Sequence, residues 1–247
     1  MARTRPNILF VLSDEHNPTV AGFAGDPVAR TPNLDWLAED GFVFDRAYTP
    51  SPICVPARQC ILSGQYPHQN GCTGWLPLPR EYATYACTLS EAGYESAAFG
   101  KIHLVGTDQL QGFRTRPFGD VHRSYGPVEK PSPEVADPLN CEVPFNWSDE
   151  KEVRRAGVGA YPDARDRLAV FALGLHLDGA VTGLWYDRAN RGAPTLLYLG
   201  LQNPHYPYLT EEALLRHYLP RVGLPRTREP FDHPFLGRSP WLPRGAE

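Results

Sequence analysis

Residues 7–12 read Asn-Ile-Leu-Phe-Val-Leu, a continuous β-type run whose apolar part, Ile8 to Leu12, stops at Ser13, Asp14 and Glu15. A run of this length predicts a first strand buried on both faces, as in a parallel sheet. Residues 31–41 predict a helix, with Thr31 as N-cap, Pro32 at the first helical position and Gly41 as the stop. Phe42, Val43 and Phe44 predict a short strand. Residues 49–58 form a loop punctuated by proline, and a helix opens at 58–62 and ends at Ser63 and Gly64. Residues 88–93 predict another helix, and 94–100 a strand whose end delivers Lys101 and His103. From 106 to 160 periodicity is lost among proline, glycine and charge, which predicts an irregular insertion over the active face. Residues 164–190 predict a broken helix, and 194–201 a second clean buried strand that ends in Gln202, Asn203, Pro204 and His205. Beyond 220 proline and arginine dominate, so residues 220–247 are expected to form a poorly ordered tail. No internal repeat is present.

Strand and helix therefore alternate, the pattern of an α/β domain with a mostly parallel sheet. Such sheets bind ligands beyond the carboxyl ends of their strands. Three polar groups fall there independently: Asp14 with Glu15, Lys101 with His103, and His205.

Composition narrows the function. The chain has 247 residues, which allows one large α/β domain. Lys and Arg number 24 against 28 Asp and Glu, a net charge of −4, which argues against a general nucleic-acid binder but leaves room for a local anion pocket. Hydrophobic residues at 42% and aromatics at 11% are enough for a sizeable core. Five cysteines, at 54, 60, 72, 87 and 141, give an odd number and no CxxC pair, so neither a disulfide scaffold nor a structural zinc site is expected. No apolar run reaches the ~18 residues of a membrane span. The N-terminal run is too short for a signal sequence, and a cytoplasmic location with no membrane partner is expected.

The sharpest local feature is Cys54-Val55-Pro56-Ala57-Arg58, followed by Leu62-Ser63-Gly64. A cysteine just before a helix N-terminus and four residues from an arginine is a candidate thiolate nucleophile, with a depressed pKa expected. The alternative is a buried inert thiol, which is how Cys60, Cys72, Cys87 and Cys141 are read.

Cys-x-Pro-x-Arg with Leu-Ser-Gly resembles the signature of the sulfatase family, within the alkaline-phosphatase-like superfamily. Pro6-Asn7-Ile8-Leu9 leading to Asp14, Thr31-Pro32-Asn33-Leu34-Asp35, Gly100-Lys101-Ile102-His103 and Pro204-His205-Tyr206-Pro207 resemble further landmarks of that family, in its order, over roughly residues 5–210. The resemblance implies a three-layer α/β/α sandwich and hydrolysis of sulfuric esters. It implies that Cys54 is oxidised to formylglycine by a formylglycine-generating enzyme that reads Pro56 and Arg58. The aldehyde hydrate attacks the sulfur, and a second hydroxyl then expels sulfate. Arg58 would hold the diol oxygens, Lys101 a sulfate oxygen, and His103 the second hydroxyl as base. His205 would contact the sulfate or protonate the leaving oxygen. Asp14, Glu15 and the oxidised Cys54 would ligate a divalent metal, Ca²⁺ first, with Mg²⁺ or Mn²⁺ as alternatives.

Two departures stand out. Ala57 replaces a commoner Ser, and Glu15 a commoner Asp. Family members also carry a second ligand pair, an Asp followed by Asn or His after a buried strand, and a further Lys. None follows His205; Asp232-His233 lacks the strand. The chain is therefore expected to be a single incomplete catalytic domain over 1–247, C-terminally truncated and of doubtful competence. Missing strands would bare a sheet edge and favour an oligomer. Three alternatives compete with a sulfatase acting on a small sulfate ester. They are a phosphodiester or phosphonate monoester hydrolase of the same superfamily, a non-catalytic anion-binding remnant, and, weakest, a thiol hydrolase pairing Cys54 with His103.

Overall fold

The computed structural model describes residues 5–120, 156–159, 161–178 and 192–223. Four strands form one parallel sheet in the order β1-β5-β2-β3: β1 (Ile8–Ser13), β2 (Glu95–Gly100), β3 (Thr115–Gly119) and β5 (Thr195–Leu201). The crossovers are long because parallel neighbours need a connection that returns over a face. They carry α1 (Pro32–Asp40), α2 (Cys54–Ser63), α3 (Pro67–Asn70), α4 (Tyr85–Glu91) and α5 (Tyr161–Leu177). Beside the sheet, β4 (Ala156–Val158) pairs with β6 (Tyr208–Thr210), and α6 (Glu212–Tyr218) follows.

Side-chain alternation on the two central strands sorts the core into two layers. Ala98, Leu196 and Tyr198 face one side, packing with Leu62 of α2 and Ala86 of α4. Ala97, Phe99, Leu197 and Leu199 face the other, against Ala169 and Leu173 of α5. The result is an α/β/α arrangement. Phe99 is fully buried, and removing a side chain of that size from water contributes about 1.5–3 kcal/mol.

Strands β2 and β5 lie where expected; β5 reads as a nearly continuous apolar run because both its faces are covered, while β2 opens on Glu95 and Ser96 and is apolar only from Ala97 to Gly100. The first strand differs. Its run is just as apolar, yet β1 pairs with β5 alone among the described residues, and Leu9 and Val11 are 57% and 53% exposed. Only Ile8, Phe10 and Leu12 pack on the core. Phe42, Val43 and Phe44 do not form the expected strand, and Phe42 is 96% exposed. Thr31 does occupy the N-cap position of α1, but its hydroxyl accepts from Gly22 N (2.8 Å) and donates to Asp35 (2.9 Å) instead of capping the helix.

Two further elements start earlier than the pattern suggested: α2 at Cys54 and α4 at Tyr85. The segment read as irregular contains β3, an edge strand, where Pro117 lies inside the run and hides it. The remainder of 121–155, the second half of the helix expected at 164–190, the tail beyond 223 and Asp232-His233 lie outside the described residues. Among those described, no helix is long and apolar enough to cross a membrane.

Gly100 and Gly200 face each other across β2 and β5. A Cβ on Gly200 would lie 1.9 Å from the Lys101 carbonyl oxygen, and one on Gly100 would lie 2.0 Å from the Gly200 carbonyl oxygen. Two residues without side chains therefore let the strand ends close, and Lys101 N donates to Gly200 O at 2.8 Å.

Candidate active site

Cys54 and Arg58 are one helical turn apart, so both emerge on the same face of α2. That face looks onto the carboxyl ends of β1, β2 and β5. Asp14, the first residue after β1, pairs with Arg58 Nη2 at 3.2 Å and with Lys101 Nζ. Arg58 Nη1 also donates to the Lys101 carbonyl and to the Tyr198 hydroxyl, both at 2.8 Å. Tyr198 in turn donates to that carbonyl at 3.0 Å. Two cations, only 4% and 5% exposed, are thus held beside one carboxylate. Burial alone would raise the Asp14 carboxyl; Lys101 and then Arg58 override it and hold it below its usual value.

A cavity of about 590 Å³ opens over this cluster. Asp14, Glu15, Cys54, Arg58, Trp75, His205 and Tyr206 contribute to its wall. The turn after β5 that carries His205 is pinned by Asp166 of α5, whose carboxylate accepts from the amides of Gln202 (2.6 Å) and Asn203 (2.8 Å). Ser13 at the end of β1 donates to Asn203 O at 2.8 Å. The His205 ring stacks on Tyr206, with centroids 4.1 Å apart, and its Nδ1 lies 2.6 Å from Tyr206 O. The carbonyl calls for a proton on Nδ1, whereas Gln202 Nε2, 3.1 Å from the same nitrogen, calls for a lone pair there, so the two contacts favour different tautomers.

Five of the residues singled out from sequence, Asp14, Cys54, Arg58, Lys101 and His205, come together here. His103 is placed differently. An extended 101–103 segment would send both side chains to one side, but His103 adopts φ 63°, which breaks the alternation. Lys101 reaches Asp14, while the fully buried imidazole packs edge-on against Trp75 at 4.8 Å. Glu15 also has a left-handed backbone, at φ 60°. Burial and then the neighbouring Asp14 raise its carboxyl, which is hydrogen-bonded to Tyr208.

The thiolate expectation for Cys54 is overturned. Burial pushes its thiol up, and this outweighs the pull of Lys101 and Arg58. The ligand trio Asp14, Glu15 and Cys54 does not assemble into a cage either. Among the described residues no group of three or more His, Cys, Asp or Glu side chains could hold a metal ion. Asp14 Oδ2 is engaged by Arg58 and Lys101. A hard dication wants about six to eight oxygens, and this donor set does not fit one.

Sequence reasoning missed Trp75, Tyr198, Asp120 and Asp166. Tyr198 had a signal, a lone polar tip inside an apolar strand. Asp120 follows β3 as Asp14 follows β1, but its strand had gone unrecognised.

His205 gives a pH prediction. Burial, then Lys101, lowers its pKa from the usual 6.5, so below that value the unfolded chain takes up a proton that the folded chain refuses. Stability is therefore lost as pH falls through about 6.5. The melting temperature should drop between pH 7.5 and 5.0, and less steeply in His205→Gln. Some slope remains because His176 is lowered by burial as well. Equal slopes in the two proteins would contradict this assignment.

Comparison with known proteins agrees with the geometry. The Ulvan-active sulfatase of Formosa agariphila is 30% identical over 206 residues, 83% of this chain but 36% of that protein. The N-acetylglucosamine-6-O-sulfatase of Bacteroides thetaiotaomicron is 36% identical over 110 residues, 44% of this chain and 19% of that protein. The chain thus spans well under half the length of these relatives. The crystal structure of the phosphonate monoester hydrolase of Agrobacterium radiobacter shares the fold, with a TM-score of 0.60 at 19% identity over 89% of this chain and 45% of that one. The sulfatase family model matches residues 6–217, which include every residue of the cluster described above, and this chain belongs to the sulfatase family.

Proposed function

We propose that this chain carries the nucleophile and the anion-binding cations of a sulfuric ester hydrolase, with Cys54 converted to formylglycine by a formylglycine-generating enzyme. The observation that carries this function is the position of Cys54 in the wall of a cavity that Asp14 and Arg58 also line, with Lys101 paired to Asp14 behind them. A half-buried thiol with a raised pKa is a poor nucleophile at neutral pH, whereas an aldehyde hydrate at the same position supplies an oxygen nucleophile.

The chain's own side chains have separable tasks. Arg58 and Lys101, fixed before the substrate arrives, favour the negative oxygens of a sulfate group without reorganisation. Asp14 keeps both cations in place. Burial and Lys101 favour the neutral ring of His205, which has one N–H donor and one acceptor nitrogen, so it suits either the base that promotes release of sulfate or a donor to a sulfate oxygen. The buried His103 acts on the pocket through Trp75. A divalent cation, calcium first, would add Lewis acidity if further oxygen donors joined Asp14 and Glu15. The substrate is a small sulfate ester whose leaving group lies against Trp75 and Tyr206.

A second function is favoured by the pairing of Asp14 with both buried cations, which suits anion binding without a covalent step: a non-catalytic member that binds a tetrahedral anion. Phosphonate monoesters remain the alternative substrate, since a single negative charge on a tetrahedral centre meets the same two cations. One preparation separates these. The 247-residue chain is expressed with a formylglycine-generating enzyme, and the Cys54 peptide is weighed. A mass about 18 Da below the thiol form, with turnover of an aryl sulfate faster than of a phosphonate ester, is expected. An unconverted thiol and no turnover of either ester would leave the anion-binding function standing instead.

A further inference from the structure

Residues 101–106 carry Lys101 and His103 away from β2, outside any helix or strand. Buried backbone groups outside the regular elements must find side-chain partners. Here the partners come from the end of β3 and the turn before it. The Asp120 carboxylate accepts from Ile102 N through Oδ1 (2.8 Å) and from His103 N through Oδ2 (3.0 Å). Gln109 Nε2 donates to the carbonyls of Leu104 (3.3 Å) and Gly106 (2.8 Å). Arg116 joins the two supports, pairing with Asp120 Oδ1 and donating to Gln109 Oε1 at 2.9 Å. Asp120 and Gln109 are 6% and 4% exposed.

A left-handed backbone at a residue other than glycine persists only where its surroundings over-determine it. At His103 those surroundings are Asp120. Its two oxygens grip consecutive amides, which fixes the peptide planes on either side of Ile102. The first of these planes decides which way the chain leaves Lys101. With it fixed, the Lys101 carbonyl meets Arg58 and Tyr198, its ammonium reaches Asp14, and the His103 ring turns onto Trp75. Hydrogen bonds to a charged acceptor are about twice as strong as neutral ones, so a carboxylate suits this task better than an amide.

We propose that Asp120 is a positioning residue of the active site: through the amides of Ile102 and His103 it holds the backbone turn that aims Lys101 at Asp14 and seats His103. The proposal deepens the function above, and only its kinetic arm rests on that function.

The test compares the full chain with Asp120→Asn. Arg116 and Ile102 N both donate towards Oδ1, so the single amide oxygen is retained there. The side-chain NH₂ then faces the His103 N–H, donor against donor, and only the longer contact of that N–H to Oδ1 (3.3 Å) is kept. Amide hydrogen exchange read by NMR should rise about tenfold or more at His103 and far less at Ile102, with a shifted His103 ring resonance. Glu212→Gln removes the same charge from the exposed pair with Arg216 and should change neither signal. In the kinetic arm, kcat on an aryl sulfate should fall about 10–100-fold with KM within about threefold. Unchanged exchange and ring resonance at His103 in folded Asp120→Asn overturns the proposal. If that variant does not fold, exchange in the unmutated chain decides: protection at Ile102 and His103 equal to that of β2 amides upholds it, and exchange at the rate of exposed loops overturns it. If the unmutated chain turns over no ester, the proposed function fails while the exchange arm still judges Asp120.

Discussion

Cys54→Ala is expected to lower aryl-sulfate turnover by on the order of 10⁴-fold or more while leaving the fold intact. Losing a covalent nucleophile is not made up by its neighbours, because Arg58, Lys101 and His205 can bind an anion and move a proton but have no carbon on which to build the reactive group. The structural cost is small for three reasons. Cys54 is the first residue of α2 and only partly buried. Alanine is the best helix former. The cluster beneath does not depend on the thiol, since Asp14, Arg58 and Lys101 pair among themselves. Initial rates and thermal melts on the same preparations check it. A variant with more than a hundredth of the parent rate would show that Cys54 is not the nucleophile, and a melt lowered by many degrees would assign it a packing role.

The second large effect concerns stability. Gly200→Ala places a methyl group 1.9 Å from the Lys101 carbonyl oxygen, far inside contact distance. The nearest obstacle is the Lys101 backbone, which cannot swing away as a long side chain would. Strands β2 and β5 must separate at their ends, where Lys101 N donates to Gly200 O and the Lys101 carbonyl accepts from Arg58 and Tyr198. Overpacking of this kind costs about 1–3 kcal/mol in flexible surroundings, and the upper end or beyond is expected here. Urea unfolding measures the loss, and inorganic sulfate binding should weaken in parallel. A change below about 1 kcal/mol would mean that the strand ends are held less tightly than the geometry implies.

Both expectations rest on contacts between residues far apart in the chain, and there the legibility of the sequence was uneven. The strand ends were plain. A short apolar run followed by polar residues marks a buried strand and its carboxyl end whatever surrounds it, so Asp14, Lys101 and His205 could be named from the chain alone. The Cys54 and Arg58 pair was equally readable, since one turn of helix brings residues four apart onto one face. Family landmarks in order then made the sulfatase kinship and the α/β/α architecture available before any coordinates.

Neighbour order in the sheet was not readable. The same apolar pattern suits a central strand and an edge strand, and nothing in residues 8–12 says that β1 has one partner among the described residues and shows Leu9 and Val11 to the outside. Phe42, Val43 and Phe44 look like a strand locally and are not one, because a strand needs a partner and a local pattern cannot supply it.

What the amino-acid sequence determined by itself was therefore everything that depends on near neighbours: the apolar runs, the turn residues that stop them, and the spacing within α2. What only the tertiary structure decided was everything that depends on burial and long-range pairing. The Cys54 thiol is raised because desolvation, a property of the surrounding volume, exceeds the pull of nearby cations. Lys101 points at Asp14 and His103 at Trp75 because a carboxylate from the end of a different strand fixes the backbone between them. Local preferences act over a few residues, whereas desolvation and strand pairing join groups 43 or 140 positions apart, as Arg58 is joined to Lys101 and to Tyr198, and these arise only when the sheet closes.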